Sequence, residues 1–290
     1  MVIPTYNRCR LLMRAVRSAL AQTIGDVEVI VVDDGSTDGT VEMLHQQQDP
    51  CLRYAERAHQ GACAARNAGM LLAKGRYIAF LDSDDVWHEN KLERQVAQLE
   101  RSGADVVFCA FLRHDEAAGH TERCPAEDEK EQRIEAARLL SGNIVSTQTL
   151  LGRADCMKQV RFDERLPRMQ DWDFAIRLAQ GYHLRYFPEV LVDTYLQPDS
   201  ISAKPELGLE AMRLLCSKYR HELETSMPGT LTMLGAIRRF AEQCGEDCVR
   251  DYWQALSPRR DWRDNCRLLK GSASAMLHGL RRSPGKDDTP

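Results

Sequence analysis

The amino-acid sequence predicts an α/β protein with a doubly wound, mostly parallel sheet, followed by a helical C-terminal extension. Over the first 112 residues, short apolar runs alternate with helical patterns, which is the βαβα order typical of such sheets. After about residue 204 the pattern is helical to the end of the chain, interrupted by prolines. With 290 residues, of which 43% are hydrophobic and 28% charged, the chain can form one large domain and an extension.

Each element of the first 112 residues has its own signal. Val2 and Ile3 open a strand that stops at Pro4, and apolar residues at helical spacing then predict a helix over 11–19. The β-branched run 27–32 is typical of a buried strand. The elements predicted after it are a helix capped by Thr37 or Asp38, a strand at 52–54, a helix at 61–73, a strand at 77–81, a helix at 91–101 and a strand at 105–112.

An acidic, polar stretch separates this first half from the rest of the sheet. Residues 114–135 predict a solvated loop because they carry many like-charged side chains. Beyond it the pattern predicts a helix over 134–140, strands at 147–151 and 184–192, and a helix over 172–179 between these strands. Strands are therefore predicted on both sides of the acidic stretch.

Composition and charge exclude several classes of protein. The net charge of −4 gives no reason to expect a polyanion partner, so we predict no nucleic acid. The ten cysteines show neither CxxC pairs nor zinc-site spacing, which is typical of a cytosolic chain. No apolar run approaches the roughly 20 residues that cross a bilayer, and Arg8, Arg10 and Arg14 interrupt any signal peptide. We therefore expect a cytoplasmic protein.

Acidic residues follow two of the predicted strands directly. Asp33 and Asp34 end the second strand, and the run 82–85 after the fourth strand holds three carboxylates in four residues. Ligands of open α/β sheets bind outside the carboxyl ends of the strands. Crowded carboxylates are costly unless a cation neutralises them, and Mg²⁺ or Mn²⁺ prefer oxygen ligands and often bridge phosphates. The pattern favours a metal-diphosphate site, and the alternative is a solvated turn with capping aspartates.

Two further segments carry candidate functional residues. Asp171 lies at the start of a predicted helix, where it could be a general base or only a charge that favours the helix dipole. Arg66 lies on a helix with an opposite apolar face, where it could contact phosphate or form a surface ion pair. The eight histidines show no metal spacing, so we interpret them as surface or packing residues.

Together these segments resemble glycosyltransferase family 2, the inverting transferases with the GT-A fold, over about residues 1–202. The segments that carry the resemblance read Val2-Ile3-Pro4-Thr5-Tyr6-Asn7-Arg8, Val31-Val32-Asp33-Asp34-Gly35-Ser36-Thr37-Asp38, Gly61, Ala65-Arg66-Asn67-Ala68-Gly69, Gly75 to Asp85 with Leu81-Asp82-Ser83-Asp84-Asp85 at its end, and Gln170-Asp171-Trp172-Asp173-Phe174. Each motif alone is weak to moderate, but their joint order and spacing are specific. The resemblance therefore implies a GT-A catalytic domain over 1–203, with a nucleotide-sugar half at about 1–112 and an acceptor half at about 136–203. It is followed by a helical extension over 204–290 with a disordered tail.

The resemblance implies a nucleotide-sugar donor, and UDP is favoured over GDP. The residues that it implies for donor or substrate binding are Pro4, Thr5, Tyr6, Asp33, Asp34, Arg66, Asp82, Ser83, Trp172 and Asp173. Of these, Asp33 or Asp34 would accept a hydrogen bond from the uracil or other base edge, and Arg66 would lie near the diphosphate.

The chemistry implied by the resemblance is a single displacement that inverts the anomeric carbon. Asp82 and Asp84 would bind Mn²⁺ or Mg²⁺, with Asp84 in direct contact, and the metal would offset charge on the leaving diphosphate. Asp171 would deprotonate the attacking hydroxyl of a glycan or lipid-linked acceptor. The expected role is in surface polysaccharide biosynthesis.

The sequence departs from the family pattern at two places. Gln170 stands where the family usually has Glu before the base, and the stretch 195–202 lacks the usual Arg and His. Two alternatives therefore stay open. A nucleotidyltransferase would need a phosphate-binding Gly/Lys loop near the first strand, which residues 6–8 do not supply. A catalytically inactive nucleotide-sugar-binding module would bind the donor without consuming it.

The C-terminal extension contains a basic segment. From Arg259 to Arg282 there are seven Lys or Arg and two Asp, interleaved with Trp262 and several leucines. Such a segment can lie on an anionic membrane surface, which would make the protein peripheral at the inner face of the membrane. The alternatives are an ordinary helix packed on the catalytic domain or a disordered tail, and disorder is expected over 284–290.

Overall fold

The structure, a computed structural model, describes residues 1–127, 129–197, 200–256 and 259–280. The chain divides into two compact units. The first comprises Met1–Leu139, Asn143–Arg165 and Gln170–Pro198, and the second comprises Leu140–Gly142, Leu166–Met169 and Asp199–Pro290. The assignment of 1–203 as the catalytic domain and 204–290 as its extension stays a prediction.

The first unit contains the strands and seven of the α-helices in the described part of the chain. The strands are β1 (Val2–Thr5), β2 (Val29–Asp33), β3 (Leu52–Glu56), β4 (Tyr77–Ala79), β5 (Val86–Trp87), β6 (Val106–Asp115), β7 (His120–Cys124), β8 (Gln132–Arg133), β9 (Leu150–Arg153) and β10 (Leu184–Tyr195). The helices are α1 (Cys9–Leu20), α2 (Thr40–His45), α3 (Ala62–Leu72), α4 (Lys91–Ser102), α5 (Ala136–Leu140), α6 (Ala154–Val160) and α7 (Gln170–Gly181).

A parallel sheet in the order β1-β2-β3 forms the first half of this unit. Both β1 and β2 are buried along their whole length, as their apolar sequences predict. In the β1–β2 register Thr5 lies opposite Asp33. The Leu81 N–H donates to the Val2 carbonyl at 3.0 Å, and Val2 and Phe80 form a parallel bridge. The run 82–85 therefore begins at the same edge at which β1 and β2 end.

The second sheet is mixed, in the order β4-β9-β6-β10-β5, with β7 paired to β6 and β8 paired to β10. Strands β6 and β10 are parallel, whereas β9 is antiparallel to both β4 and β6. The α/β class is confirmed, and the parallel part of the sheet lies mainly in the first half. The sequence does not predict whether a strand pairs parallel or antiparallel, because a short apolar run indicates only that the strand is buried.

The predicted loop over 114–135 is wrong at both of its ends, where β7 (His120–Cys124) and β8 (Gln132–Arg133) form. Strand β6 extends to Asp115 and forms a hairpin with β7, in which Asp115 lies opposite His120. The side chains of β7 are mostly exposed, so the strand depends on backbone hydrogen bonds and shows no apolar alternation. Asp128 lies outside the described residues.

Close packing of α3 on β1 positions the candidate site residues of that helix. A Cβ on Gly69 would lie 2.3 Å from Val2 Cγ1, so glycine is required for this approach. Asn67, also on α3, holds the helix to the segment after α6. Its side chain donates to the Phe162 carbonyl at 3.0 Å and accepts from the Phe162 N–H at 2.8 Å. The Phe162 ring stacks on Phe174 of α7 with a centroid distance of 4.1 Å. The start of α7 is thereby fixed relative to α3.

The second unit is helical, as predicted for the C-terminal part. Its helices are α8 (Pro205–Lys218), α9 (Arg220–Thr225), α10 (Met227–Cys244), α11 (Val249–Gln254) and α12 (Trp262–Leu280). Residues Trp262–Leu280 of the basic segment form α12, where Trp262 is 69% exposed. Its contact with a membrane surface stays a prediction, and residues 281–290 lie outside the described part. None of the described helices is long and apolar enough to span a bilayer.

Candidate active site

The candidate site lies where β1, β2 and the segment after β4 end side by side. Thr5 and Asp33 are neighbours in register, and the Asp34 N–H donates to the Thr5 carbonyl at 2.9 Å. Pro4, one residue earlier in β1, is buried opposite Val32. Parallel strands bring their carboxyl ends to one edge, so the predicted donor-binding residues of this half are together.

The two adjacent aspartates after β2 have different environments. The Asp34 carboxylate accepts from the Gly61 N–H at 2.7 Å and pairs with His59 Nδ1 at 2.9 Å. It also pairs with Arg57 Nε at 3.4 Å, so it fixes the loop between β3 and α3. The Asp33 Oδ2 atom accepts from two backbone N–H groups of the following turn. Its Oδ1 atom is buried without a hydrogen-bond partner in the described structure, and so it is the available acceptor.

An aromatic pair flanks these carboxylates. The Tyr6 ring stacks on His59 with a centroid distance of 4.1 Å and an interplanar angle of 28°. Tyr6 remains 44% exposed, so its ring can accept another planar group. His59, predicted to be a surface or packing residue, is exposed and packs on Tyr6, and it lies beside the predicted nucleotide pocket. Its position in the loop before the α3 helix, at the ligand-binding edge of the sheet, is the signal that could have identified it.

Arg66 joins the acidic run to the start of α7. Its Nη2 pairs with Asp82 Oδ1 at 2.6 Å, and its Nη1 donates to Gln170 Oε1 at 3.0 Å. The guanidinium is buried, and Nε has no hydrogen-bond partner among the described residues. The predicted alternative of a surface ion pair is therefore wrong. The structure brings Arg66, Asp82 and the residue before Asp171 together.

Asp171 is half-buried at the beginning of α7. Burial raises the pKa of its carboxyl to about 6, although the hydrogen bond from the Trp172 N–H and the nearby Arg66 guanidinium lower it. The carboxylate of Asp82 raises this pKa further, and a hydrogen bond from Asn143 lowers it. A carboxylate with a pKa near 6 is ionised at neutral pH and is a stronger base than an ordinary aspartate.

The next two residues of α7 have structural partners. The indole N–H of Trp172 donates to the Leu139 carbonyl at 2.7 Å, and the ring is buried. Asp173 is fully buried and accepts from Arg177 Nη2 at 2.6 Å and Nε at 2.8 Å. Both were predicted as substrate-binding residues. In the described structure these contacts hold the first turn of α7, and substrate binding by Trp172 or Asp173 stays a prediction.

The acidic run 82–85 crowds three carboxylates. Burial, together with the neighbouring carboxylates of Asp82 and Asp84, raises the pKa of Asp85 well above its usual range. Ser83 between them is buried. No group of three or more His, Cys, Asp or Glu side chains within the described ranges is arranged to hold a metal. A cation that also binds substrate phosphates needs only one or two protein carboxylates, and Asp82 and Asp84 fit that requirement.

Comparison with known proteins agrees with this geometry. The sequence model of the family described as "Glycosyl transferase family 2" matches residues 1–162. The chain is 40% identical over 111 residues to the E. coli "UDP-Glc:alpha-D-GlcNAc-diphosphoundecaprenol beta-1,3-glucosyltransferase WfaP", covering 38% of this chain and 43% of that protein. The alignments cover 33%, 38% and 40% of the length of relatives from Nostoc, Rickettsia felis and Streptococcus pneumoniae.

Two solved structures show the same fold. S. aureus TarS matches with a TM-score of 0.70 at 18% identity, covering 97% of this chain and 53% of that chain. The mannosyltransferase PcManGT from Pyrobaculum calidifontis, solved with GDP-Man and Mn²⁺, matches with a TM-score of 0.59 at 17% identity, covering 97% of this chain and 81% of that one. Since the family match spans more than half of the sequence, the chain belongs to glycosyltransferase family 2, and it has the GT-A fold.

Proposed function

We propose that this chain is an inverting, metal-dependent transferase that moves a sugar from a UDP-sugar to a hydroxyl of a glycan or lipid-linked acceptor. The observation that carries the proposal is the convergence of an available acceptor on Asp33, the acidic run 82–85 and a half-buried Asp171. Relatives support the substrate classes. WfaP is named for a UDP-glucose donor and a diphosphoundecaprenol-linked acceptor, and TarS has been solved with UDP-GlcNAc. The biological role is the assembly of a surface polysaccharide.

The nucleotide base would bind between the ends of β1 and β2. Thr5 Oγ1 and Asp33 Oδ1 are both buried without a partner among the described residues, and an unsatisfied buried polar atom costs free energy. The imide N–H of uracil can donate to the Asp33 carboxylate. The exposed Tyr6 ring, stacked on His59, supplies a planar surface for the base.

The diphosphate would lie against the acidic run. Asp82 and Asp84 would hold Mn²⁺ or Mg²⁺ there, and the bound cation would offset negative charge on the leaving nucleoside diphosphate. Arg66 holds Asp82 through Nη2, so it orients one of the two carboxylates and adds positive charge next to the phosphates. Gln170, in place of the expected Glu, gives Arg66 a neutral second partner. The positive charge of Arg66 is therefore offset by one carboxylate and not by two, and it can attract the donor diphosphate more strongly.

The acceptor hydroxyl would be deprotonated by Asp171. The carboxylate takes the proton as the oxygen attacks the anomeric carbon from the face opposite the diphosphate. A single displacement of this kind inverts the configuration at that carbon. Trp172 and Arg177 keep the first turn of α7 in place, and this fixes the direction from which Asp171 acts.

Donor recognition is tested by UDP binding to an Asp33→Asn variant. We expect wild-type protein to bind UDP in the presence of Mn²⁺, and Asp33→Asn to bind it about 10-fold more weakly, because a hydrogen bond to a charged group is lost. Glu56→Gln is the matched control, since Glu56 lies opposite Asp33 at the end of β3 and pairs with the exposed His45. Calorimetry that finds equal UDP affinity in wild type and Asp33→Asn would contradict this assignment of the base site.

The proposed base also predicts how the rate depends on pH. Asp171 must be ionised to accept a proton, and its pKa is raised to about 6. The kcat/KM for the donor, which reports the free enzyme, should therefore fall about 10-fold per pH unit below 6 and level off above it. A profile that stays flat down to pH 5, on protein that remains folded there, would exclude Asp171 as the base.

A further inference from the structure

We propose that Arg14 of α1 is a positioning residue that holds the acidic run 82–85 in its cation-binding conformation. Its Nη2 donates to the backbone carbonyl of Asp84. Its guanidinium also lies 4.1 Å from the centroid of the Tyr195 ring, at the end of β10. The Tyr195 N–H in turn donates to Asp85 Oδ1 at 3.1 Å. This inference rests on the proposed function, in which Asp82 and Asp84 hold the cation.

Arg14 is partly buried against the acidic run and β10, and it differs in this from a solvent-exposed surface charge. The residue is only partly exposed, and its Nε atom is buried without a hydrogen-bond partner in the described structure. The guanidinium is the group that contacts both the acidic run and β10. The stretch 195–202 lacks the Arg and His expected from the family resemblance, yet a guanidinium still lies against Tyr195, supplied here by α1.

A second set of contacts holds the segment that follows the acidic run against β10. His114 stacks on Tyr195 with a centroid distance of 5.0 Å and contacts Asp193 Oδ1 through Nε2 at 2.7 Å. The other carboxylate oxygen of Asp193 contacts His88 Nε2 at 2.9 Å. His88 lies just after the acidic run, and its N–H donates to the Leu191 carbonyl at 3.0 Å. The run is therefore held to β10 on both sides of β5.

The acidic run needs such an anchor because repulsion between its own carboxylates opposes the conformation that binds a cation. Asp82, Asp84 and Asp85 repel one another when they are ionised and no cation is bound. A charged donor on the Asp84 carbonyl fixes the backbone there and offsets part of this repulsion. Arg14 would thus increase cation affinity without contacting the cation or the substrate.

The test measures Mn²⁺ binding by electron paramagnetic resonance at saturating UDP, in wild type, Arg14→Gln and the control Arg17→Gln. Arg17 lies on the exposed face of the same helix. We expect Arg14→Gln to raise the Kd for Mn²⁺ about 10-fold, the scale of a lost charge-assisted hydrogen bond, and Arg17→Gln to match wild type. Saturating Mn²⁺ should restore most of kcat in Arg14→Gln. Arg14→Lys should restore affinity only in part, because an ammonium cannot reproduce both guanidinium contacts.

The outcomes distinguish this inference from the proposed function. Wild-type protein that binds UDP but not Mn²⁺, and needs no cation for turnover, would overturn the metal site and the positioning role together. Mn²⁺-dependent wild type with an unchanged Kd in folded Arg14→Gln would overturn the positioning role alone. Should Arg14→Gln fail to fold, Tyr195→Leu removes the ring contact but keeps the backbone N–H to Asp85. It should raise the Kd for Mn²⁺ by about 3-fold, a smaller contact being lost, and an unchanged Kd there would equally overturn the proposal.

Discussion

Asp171→Asn should lower kcat by about 10²-fold or more, the usual scale for the loss of a general base. The substitution preserves the shape of the side chain and removes its basicity. The Kd for UDP should change little, because the proposed donor contacts lie at the ends of β1, β2 and β4 and not on α7. Steady-state kinetics together with calorimetric UDP binding separate these two effects.

Asp171→Asn should lose activity but keep or gain thermal stability. The folded-state pKa of Asp171 is raised from an ordinary 3.8 to about 6, so the folded protein binds this proton more tightly than the unfolded chain. Ionising Asp171 therefore destabilises the fold as pH rises from about 4 to 6, and the effect persists at pH 7. We expect Asp171→Asn to have a Tm at pH 7 equal to or above that of wild type.

Asp173→Asn is the matched comparison on the same turn. Its carboxylate is fully buried and paired with Arg177, so breaking the pair should lower Tm by several degrees, and any activity loss should follow that loss of stability. If Asp171→Asn instead keeps near-wild-type kcat while a folded Asp173→Asn loses it, the base lies two residues further along the helix. If neither variant affects kcat, the reaction does not use this helix.

Asp84→Ala should reduce turnover to below about 1% of wild type, since metal stabilisation of the leaving diphosphate is worth several kcal/mol. The fold should survive, because removing one of three crowded carboxylates relieves repulsion. The pKa of Asp85 is raised partly by Asp84, which supports this expectation. Glu89→Gln is the control, since Glu89 is an exposed acid close to the run. Full activity of Asp84→Ala, or of wild type in excess chelator, would exclude the metal site.

Sequence patterns grouped the candidate site residues into motifs, but they did not distinguish the environments of the residues within each motif. Asp33 and Asp34 are equivalent in a pattern, and only the structure shows that the loop of residues 57–61 supplies partners to both oxygens of Asp34, whereas Asp33 Oδ1 has none among the described residues. Asp173 was included with Asp171 for the same reason. Its partner Arg177 lies one helical turn away, a spacing that could have been recognised from the sequence.

Features that depend on distant strands were the hardest to predict. The β6–β7 hairpin lies in a polar segment whose strands are held by backbone pairing, so apolar periodicity could not indicate it. Arg14 and His59 contact the site from α1 and from the loop before α3, far along the chain from their partners. By contrast, β2 and α3 were predicted close to their observed bounds, because buried β-branched runs and helical spacing are local signals. The first strand was also predicted, but β1 continues past the predicted stop at Pro4 to Thr5.

The most direct test of the proposed mechanism is mass spectrometry of the acceptor after incubation of the purified protein with a panel of nucleotide sugars. Glycans and lipid-diphosphate-linked sugars serve as acceptors, with Mn²⁺ or with excess chelator. We expect one UDP-sugar to add a single sugar residue to an acceptor, in wild type and only with the cation. Asp171→Asn should bind UDP and form product about 10²-fold or more slowly. Wild-type protein that binds UDP tightly but neither transfers nor hydrolyses any donor would contradict the proposal and favour a nucleotide-sugar-binding module.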